Sequence, residues 1–267
     1  MKVWLNGAIM PATAGRIDVV DRGFTLGDGV FETICVVDGL PHYLQRHLRR
    51  LRAGLAVLAL PLALTDADLA DALALALQAN GLKSAAVRLT VSRGPAPRGV
   101  MPPPAPDPTV LVMSGPLPGM AVPADAITCT VTRRNEMSPL SRVKSLNFLD
   151  SILARQEAAS RGADEALLLN TRGYLAEATA ANILVLRDGA LVTPPLADGA
   201  LPGIMREVLI ERCGATEVPL LVEDLFAADA VFLSSSLALR PLASIDRRPL
   251  GTRSDFLADL SRRAMAG

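Results

Sequence analysis

The sequence predicts an α+β protein built as two lobes, and three observations carry this prediction. Strand patterns and helical patterns occur in both halves of the chain. A Pro- and Gly-rich stretch, residues 115–125, separates the two sets of patterns. The chain has 267 residues, of which 50% are apolar, and this length suits one large domain or two small ones. We therefore expect an N-terminal lobe at residues 1–116, a linker at 117–124 and a C-terminal lobe at 125–267.

The N-terminal lobe is predicted to contain strands and two helices. Asn6-Gly7 and Asp38-Gly39 each lie between two strand-like segments, which is typical of tight hairpin turns. Apolar residues then recur at helical spacing from His42 to about Leu60. A second helix is expected from an N-cap at Asp66 to a C-cap at Asn80-Gly81. The strand patterns of this lobe cover residues 2–10, 29–44, 85–94 and 109–115.

The C-terminal lobe is predicted to contain more strands, joined by tight turns. A helix is expected over about residues 145–162, and it ends at Gly162. Pro202 and Gly203 lie at the N-terminus of another predicted helix. The strand patterns of this lobe cover residues 126–133, 165–195 and 230–236, and shorter helical patterns cover 223–229 and 255–267.

Composition excludes several classes of protein. The formal net charge is zero and no long basic run is present, which argues against nucleic acid as a main partner. Three dispersed cysteines and two histidines give neither a disulfide framework nor a zinc site, so we expect no metal. The longest apolar run, residues 53–64, is too short to span a bilayer, and the N-terminus lacks a secretory signal pattern. These features predict a cytoplasmic protein without a membrane partner.

Lys144 is one of only three lysines in a chain that contains twenty-four arginines. A surface cation can be either residue. An amine that loses its proton and attacks a carbonyl cannot be replaced by a guanidinium, which stays charged and is a poor nucleophile. Lys144 is therefore a candidate nucleophile, although a solvated lysine at a helix start explains it equally well by itself.

Three further features of the second half are suited to an anionic cofactor. Glu177 lies in a strand predicted to be mostly buried, where a carboxylate must be paired. The backbone N–H groups of Ile204 and Met205 open a helix, and Ser235 and Ser236 follow a buried strand. Each feature alone is explained by ordinary structure. Together with Lys144 they match what pyridoxal phosphate needs: an amine for the imine, an acid for the ring nitrogen and donors for the phosphate.

The order and spacing of these residues resemble the class IV aminotransferases, which are fold type IV pyridoxal-phosphate enzymes. That family includes branched-chain aminotransferases, D-amino-acid aminotransferases and 4-amino-4-deoxychorismate lyase. Leu184 departs from the pattern, because Phe or Tyr is usual there. The matching pattern residues are Glu177, Thr179, Asn182, Ile183, Leu191, Thr193, Leu201, Gly203, Ile204 and Arg206. The resemblance extends to residues 21–34, 46–51, 91–99 and 143–158, and so covers nearly the whole chain.

The resemblance implies both the fold and the roles of individual residues. It implies a smaller N-terminal α/β lobe and a larger C-terminal pseudo-barrel lobe that carries the Schiff-base lysine, Lys144. This lysine would also move the proton between the substrate Cα and the cofactor C4′, while Glu177 faces the pyridine nitrogen. The implied phosphate ligands are Arg50, the backbone amides of Ile204 and Met205, and the hydroxyls of Ser235 and Ser236.

Substrate preference is indicated by three positions of the N-terminal lobe. Phe31, Arg98 and Val100 stand where D-amino-acid aminotransferases hold the substrate carboxylate with tyrosine, arginine and histidine. Only Arg98 keeps the polar contact, and it can equally be a solvated loop residue. With two of three contacts absent, a D-amino-acid specialist is disfavoured, and Phe31 suits a hydrophobic or branched-chain substrate. We therefore expect an aminotransferase that transfers an amino group between such an amino acid and a 2-oxo acid through the Lys144 imine.

The alternative is 4-amino-4-deoxychorismate lyase, which releases pyruvate and p-aminobenzoate. It would use the same Lys144, Glu177 and phosphate ligands. The stretches DEAL (164–167) and AAN (180–182) favour it. The SLNF that begins at Ser145 disfavours it, because many bacterial lyases have HLNR there, and so does Ser235, where many have asparagine. The resemblance also implies a homodimer whose site borrows residues from the neighbouring subunit, and two-fold dimers are common in general.

Overall fold

The computed structural model describes residues 1–119 and 122–265. Contacts within the chain define two compact units. The first comprises Met1–Pro118 together with Val143–Asn147, and the second comprises Gly119–Arg142 together with Phe148–Gly267. Of the predicted linker, residues 120–121 lie outside the described residues, as do residues 266–267 of the predicted C-terminal lobe.

The position of Lys144 corrects one expectation. We expected this lysine in the C-terminal lobe, whereas Val143–Asn147 belongs to the first unit. The reason is pairing with the first unit. Ser145 of this segment forms an isolated antiparallel bridge with Val30, which lies in a strand of the first unit. The predicted helix over residues 145–162 accordingly begins only at Leu149.

The described part of the first unit consists of one antiparallel sheet of six strands and three helices. The strand order is β2-β1-β6-β5-β3-β4. The elements are β1 (Lys2–Leu5), β2 (Ala8–Pro11), α1 (Arg22–Leu26), β3 (Gly29–Val37), β4 (Leu40–Pro41), α2 (Leu44–Val57), α3 (Asp66–Asn80), β5 (Ala85–Ser92) and β6 (Thr109–Gly115).

Local sequence explains the ends of these elements. Both predicted hairpin turns are confirmed, because Asn6-Gly7 and Asp38-Gly39 have positive φ angles between paired strands. Helix α2 is shorter than predicted, and the left-handed residues Tyr43 and Ala59 flank it. The N-cap of α3 is Thr65, not Asp66 as predicted. The Thr65 hydroxyl accepts the Asp68 N–H while the Asp68 carboxylate accepts the Thr65 N–H, which forms a capping box.

One face of this sheet forms the core of the first unit. Alternate residues of β3 and β5 point to the same side, because side chains in a strand alternate between faces. These residues pack against the apolar sides of α2 and α3. The core includes Val30, Ile34 and Val36 of β3, Val87, Leu89 and Val91 of β5, and Leu48, Leu51, Leu55, Leu69 and Leu73 of the two helices. The other face of β3 and β5 carries Phe31 and Arg88.

The second unit is built around a larger curled sheet. Over the described residues its strand order is β12-β11-β10-β13-β14-β7-β8-β9, and β15 pairs with β14. Two 3-10 turns, Pro139–Arg142 and Leu196–Asp198, complete the unit. The strands are β7 (Ala124–Thr128), β8 (Glu165–Leu169), β9 (Leu175–Ala178), β10 (Asn182–Arg187), β11 (Ala190–Thr193), β12 (Thr216–Glu217), β13 (Ala230–Ser234), β14 (Leu239–Ile245) and β15 (Arg248–Pro249), and the helices are α4 (Leu149–Ser160), α5 (Ile204–Cys213), α6 (Val222–Phe226) and α7 (Ser254–Met265).

The core of the second unit explains why its strands appear in the sequence as continuous runs of apolar residues. Strands β9 and β10 are buried along almost their full length, so both faces of these strands are covered. In contrast, helix α4 contacts its sheet through the small residues Ala154 and Ala158, while Leu149 and Ile152 stay exposed. Within the described residues, no helix is long and apolar enough to cross a membrane.

Candidate active site

Lys144 lies on the extended segment that runs antiparallel to β3. Its carbonyl oxygen accepts a hydrogen bond from the Phe31 N–H at 2.9 Å, and the Leu146 N–H donates to the Gly29 oxygen at 2.9 Å. Gly29 permits this approach, because a Cβ there would lie 2.4 Å from the Val91 oxygen and 2.8 Å from Leu146 Cδ1. The half-buried Lys144 is therefore held on the edge of a rigid strand, and not at a helix start.

The ring of Phe31 contacts two cations. Lys144 Nζ is 4.5 Å from the centre of its ring, and the guanidinium carbon of Arg88 is 3.7 Å from the same point. Both distances are in the range of cation–π contacts. Burial lowers the pKa of the Arg88 guanidinium, but this group stays charged near neutral pH. The surroundings of Phe31 are thus not purely apolar, because Arg88 brings a positive charge to this face.

Arg50 takes part in a buried cluster with Glu32 and His47. Its Nε and Nη2 atoms donate to the two carboxylate oxygens of Glu32 at 2.8 and 2.6 Å. The Nδ1 atom of His47 lies 2.7 Å from Glu32 Oε2. Glu32 is 0% exposed, and His47 is 1% exposed. The arginine that resemblance assigns to phosphate is therefore held by a carboxylate that the sequence analysis did not identify.

Arg98 and Val100 lie in the loop between β5 and β6, and both are exposed. The backbone of this loop is anchored by Arg22, which donates to the carbonyl oxygens of Gly99 and Val100 at 2.8 and 2.9 Å. The same guanidinium donates to Asp28 at 2.8 Å. The loop is thus fixed at its backbone, while the Arg98 side chain lies on the surface of the unit. A substrate role for Arg98 stays a prediction.

Glu177 lies on β9 and is 9% exposed. Its Oε2 atom accepts the Leu201 N–H at 2.9 Å, and its Oε1 atom lies 3.0 Å from Arg134 Nε. Arg134 is itself fixed, because it also donates to the carbonyl oxygens of Gly199 and Ser141. A carboxylate with a charged partner and a backbone donor keeps its negative charge when buried.

Leu201 connects Glu177 to the start of helix α5. The Leu201 carbonyl oxygen accepts hydrogen bonds from Asn182 Nδ2 at 2.9 Å and from the Gly203 N–H at 2.8 Å. Gly203 is the N-cap of α5, and a Cβ there would lie 1.9 Å from Asn182 Oδ1. Only glycine fits this approach. The N–H groups of Ile204 and Met205 in the first turn of α5 are thereby held at a set distance from the carboxylate.

Other pattern residues support the backbone around this connection. The Thr193 hydroxyl donates to the Ile183 oxygen at 2.7 Å. Arg206 Nη2 donates to the Pro194 oxygen at 2.9 Å and pairs with Glu217. These residues hold the strands and the start of α5 in register, so their spacing in the sequence reflects structure as well as chemistry.

The serines after β13 have different surroundings. The Ser235 hydroxyl accepts the Ala238 N–H at 3.2 Å and lies 3.3 Å from the Ala238 oxygen, so it closes the turn between β13 and β14. Ser236 is half-buried in the same turn. Ser234 is 2% exposed, and its hydroxyl has no hydrogen-bond partner among the described residues. Ser234 pairs with Asn182 in the sheet, so this donor is close to the start of α5.

The predicted site residues thus form one group in each unit. In the first unit, Lys144 and Phe31 lie together, and Arg50 is held by a neighbour of Phe31 in the sequence. In the second unit, Glu177 is connected to Ile204 and Met205 through Leu201. Sequence reasoning did not find the partners Arg88, Glu32, His47 and Arg134. Charged residues within strand patterns, as in VFETI and AAVRLT, were the available signal for Glu32 and Arg88, whereas no local pattern indicates Arg134.

A family model described as "Amino-transferase class IV" matches residues 29–245 of the chain. The chain belongs to the class IV aminotransferase family. It is 35% identical over 261 residues to a Methanocaldococcus jannaschii protein assigned as a branched-chain-amino-acid aminotransferase, with 95% of this chain and 91% of that protein covered. It is 28% identical to the aminodeoxychorismate lyase of Bacillus subtilis, with 94% of this chain and 89% of that protein covered.

The solved structures agree with this family membership. The structure superimposes on the branched-chain amino acid aminotransferase of Escherichia coli with a TM-score of 0.91 and 26% sequence identity, covering 98% of this chain and 92% of that chain. The predicted fold type IV architecture of mixed helices and sheets is therefore confirmed. Class IV aminotransferases are pyridoxal-phosphate enzymes, and the chain is an enzyme of that family.

The residues of the second unit fit such a cofactor. Pyridoxal phosphate has an anionic end and a ring nitrogen that is protonated when it faces a carboxylate. The start of α5 and the unpartnered Ser234 hydroxyl offer donors for an anion, and Glu177 is held as a paired carboxylate. The contacts of Leu201 fix the distance between Glu177 and the start of α5. A rigid ligand with a polar group at each end requires such a fixed distance.

Proposed function

We propose that this class IV enzyme is a pyridoxal-phosphate-dependent aminotransferase that exchanges an amino group between an amino acid, preferably hydrophobic or branched-chain, and a 2-oxo acid. One observation carries the proposal. Glu177 is held by Arg134 and by the Leu201 N–H, and Leu201 also binds the Asn182 that fixes the start of α5. A carboxylate and an anion-binding helix start at a set separation fit the two ends of pyridoxal phosphate.

When bound, the cofactor would draw electrons from the substrate Cα and so weaken its C–H bond. Glu177 would hold the proton at the ring nitrogen, since a carboxylate that stays ionised stabilises a protonated partner. The amides of Ile204 and Met205, the Ser235 and Ser236 region and Arg50 would hold the phosphate. Lys144 Nζ would bind the cofactor aldehyde and move the proton at the substrate Cα.

The face that carries Phe31 supports the proposed substrate class. Phe31 offers a buried aromatic surface for an apolar side chain, and Arg88 places a desolvated positive charge on the same ring. A carboxylate is common to every amino acid and 2-oxo acid, and a guanidinium binds it with paired hydrogen bonds. The combination suits a substrate with an apolar side chain and an anionic end, and in particular a 2-oxo dicarboxylic acid as the second substrate.

The lyase is the second candidate, because the chain also resembles the Bacillus subtilis aminodeoxychorismate lyase over nearly its full length. The two reactions differ in what they consume. An aminotransferase needs a 2-oxo acid to complete its cycle, whereas the lyase releases pyruvate and p-aminobenzoate without one. Purified enzyme should therefore be assayed with L- and D-amino acids plus 2-oxoglutarate, and with aminodeoxychorismate alone. Turnover only in the second assay would exclude the aminotransferase.

The role of Lys144 is tested by chemical labelling. Borohydride reduction of the holoenzyme, followed by proteolysis and mass spectrometry, should place the phosphopyridoxyl group on Lys144. Lys144→Ala should lower turnover by at least about 10³-fold, because the variant loses its proton-transferring amine. Lys83→Ala is the matched control and should keep wild-type turnover. A label on another residue, or full activity in Lys144→Ala, would remove the basis of the proposal.

We also propose that two copies of the chain associate, as the family resemblance implies. In the first unit, Val19 and Phe24 are each 79% exposed. In the second unit, Leu149, Ile152 and Leu153 of α4 are exposed at helical spacing. Phe24→Glu should shift the mass measured by light scattering toward that of one chain. We expect the enzyme to act in the cytoplasm, where the free thiols of Cys35, Cys129 and Cys213 stay reduced.

A further inference from the structure

The buried cluster of Glu32, His47 and Arg50 lies where β3 faces helix α2. Val30, Ile34 and Val36 are on the same face of β3 as Glu32 and belong to the apolar core. A carboxylate therefore interrupts a row of core residues. His47 and Arg50 are three residues apart on α2, so they lie on one side of that helix and both reach Glu32.

Stability alone does not account for this cluster. Glu32 is fully buried, and removing a carboxylate from water costs several kcal/mol before any partner is found. Well-packed apolar residues of similar volume would serve this core at least as well. The three side chains nevertheless satisfy one another: Oε1 of Glu32 accepts one hydrogen bond from Arg50, and Oε2 faces both Arg50 Nη2 and His47 Nδ1. A cluster arranged in this way fixes the orientation of its members.

Glu32 contacts one edge of the Arg50 guanidinium. The two hydrogen bonds use Nε and Nη2, so they restrain the plane of the group and its rotation about the side-chain axis. The guanidinium is therefore held at a fixed orientation relative to β3, on whose edge Lys144 lies.

We propose that Glu32 is a positioning residue for cofactor binding, which holds the Arg50 guanidinium in the orientation that binds the phosphate, and that His47 fixes Glu32 in turn. This inference rests on the proposed function, in which Arg50 is a phosphate ligand. A neutral His47 donates its Nδ1–H to Glu32, because an ionised carboxylate accepts hydrogen bonds only. Burial lowers the pKa of His47 despite its hydrogen bond to Glu32, and this lowered pKa favours the neutral form.

The test compares two cofactors that differ only in the phosphate. The dissociation constants of pyridoxal phosphate and of pyridoxal are measured for the full chain, for Glu32→Gln and for Arg50→Gln. Both variants should weaken the binding of pyridoxal phosphate by about 10- to 100-fold, the usual effect of a hydrogen bond to a charged group. Pyridoxal binding should change by less than about threefold in each. The double variant should bind pyridoxal phosphate no more weakly than Arg50→Gln, because Glu32 acts through Arg50.

A matched control comes from the same unit. Arg93 is buried and contacts both oxygens of Asp28, at 2.7 and 3.1 Å, so it forms a carboxylate pair of the same type. Asp28→Asn should lower the melting temperature and change the affinities for the two cofactors by the same factor. Equal weakening for both cofactors in Glu32→Gln, or additive effects in the double variant, would mean that Glu32 has only a structural role.

The remaining outcomes separate this inference from the proposed function. If wild-type protein does not bind pyridoxal phosphate, the proposed function fails. If Arg50→Gln binds both cofactors as wild type does, the assignment of Arg50 to the phosphate fails. If Arg50→Gln is selective for the phosphate and Glu32→Gln is not, only the positioning role fails. If Glu32→Gln does not fold, Glu32→Asp replaces it, because aspartate keeps the charge on a side chain that is shorter by one methylene. The holoenzyme of Glu32→Asp should show a shifted ³¹P resonance of the bound phosphate. An unchanged resonance contradicts the proposal.

Discussion

The two units each contain a carboxylate paired with an arginine, but the roles of the two partners are reversed. In the first unit Arg50 is the proposed cofactor ligand, and Glu32 supports it from the core. In the second unit Glu177 is the proposed cofactor ligand, and Arg134 supports it. The supports also differ in kind. Glu32 is fully buried, whereas Arg134 keeps 18% of its side chain exposed and makes further contacts to backbone oxygens.

This difference indicates what each support controls: Glu32 controls the orientation of Arg50, and Arg134 stabilises the negative charge of Glu177. A cation that holds a phosphate must be fixed in direction, and a two-point contact from a buried carboxylate achieves that. A carboxylate that faces a ring nitrogen must stay ionised, and a nearby guanidinium ensures this even when the guanidinium is partly solvated. We therefore expect changes to the Glu177–Arg134 pair to alter catalytic rate and changes to the Glu32–Arg50 pair to alter cofactor affinity. The following predictions test that division.

Within the two pairs, the largest effect is expected at Glu177. Glu177→Gln should lower kcat by about 100-fold, the size seen when one fixed electrostatic group is removed from a reaction centre. The affinity for pyridoxal phosphate should stay within about threefold, because the phosphate ligands are intact. Steady-state kinetics with saturating cofactor and a cofactor titration give the two numbers.

The control for this variant is Asp255→Asn, which changes another carboxylate paired with an arginine in the same unit, and 70% of this side chain is exposed. It should retain kcat within about twofold, since surface ion pairs contribute little. If Glu177→Gln instead loses cofactor affinity at unchanged kcat, the division between the two pairs is wrong.

A smaller effect is expected at Arg134. Arg134→Met removes the charge while keeping most of the side-chain volume, and it should lower kcat by about 10-fold with wild-type cofactor affinity. The reason is that Glu177 keeps its Leu201 N–H donor but loses the partner that favours ionisation. A second variant separates the role of the charge from a structural role. Arg134→Lys keeps the positive charge and should have a higher kcat than Arg134→Met, and equal kcat values in the two variants would argue for a structural role alone.

Local sequence predicted most of the elements of the fold. The Asn6-Gly7 turn, the Gly81 cap and the start of α5 at Ile204 follow from short-range chemistry, and the structure contains all three. The helix expected from residue 145 was extended too far toward the N-terminus, because the apolar Leu146 fits a helical pattern as well as a strand. Its true position depends on pairing with Gly29, a contact that no local pattern contains.

The sequence predicted some residues of the site and not others, for a similar reason. Glu177 and Gly203 belong to one continuous pattern, so their order identified them. Arg134 and Glu177 meet only because the loop after β7 returns to β9, and nothing in the sequence near Arg134 indicates a partner. Glu32 could have been noticed as a charge on the core face of β3. Its partner Arg50 was identified only through the family resemblance, since charge alone does not distinguish a surface arginine from a buried one.

The smallest effect is expected on stability in mild acid, and it tests the first unit alone. Burial lowers the pKa of His47 below its usual 6.5 in the folded state, while Glu32 raises it by a lesser amount. Below pH 6.5 the unfolded chain then binds a proton that the folded chain does not, so folding stability falls as the pH falls. One such group can contribute up to about 1.4 kcal/mol per pH unit. In His47→Gln, the melting temperature should therefore decrease less between pH 7.5 and 5.5 than it does in wild type. His42→Gln is the matched control, because the hydrogen bonds of Glu32 are to His47 and Arg50. Its melting temperature should decrease between pH 7.5 and 5.5 by as much as that of wild type. An equal decrease in wild type and His47→Gln would mean that His47 binds its proton equally well in the folded and the unfolded chain. A larger decrease in His47→Gln would mean that Glu32 makes the folded chain bind this proton more tightly, and either result contradicts a pKa lowered by burial.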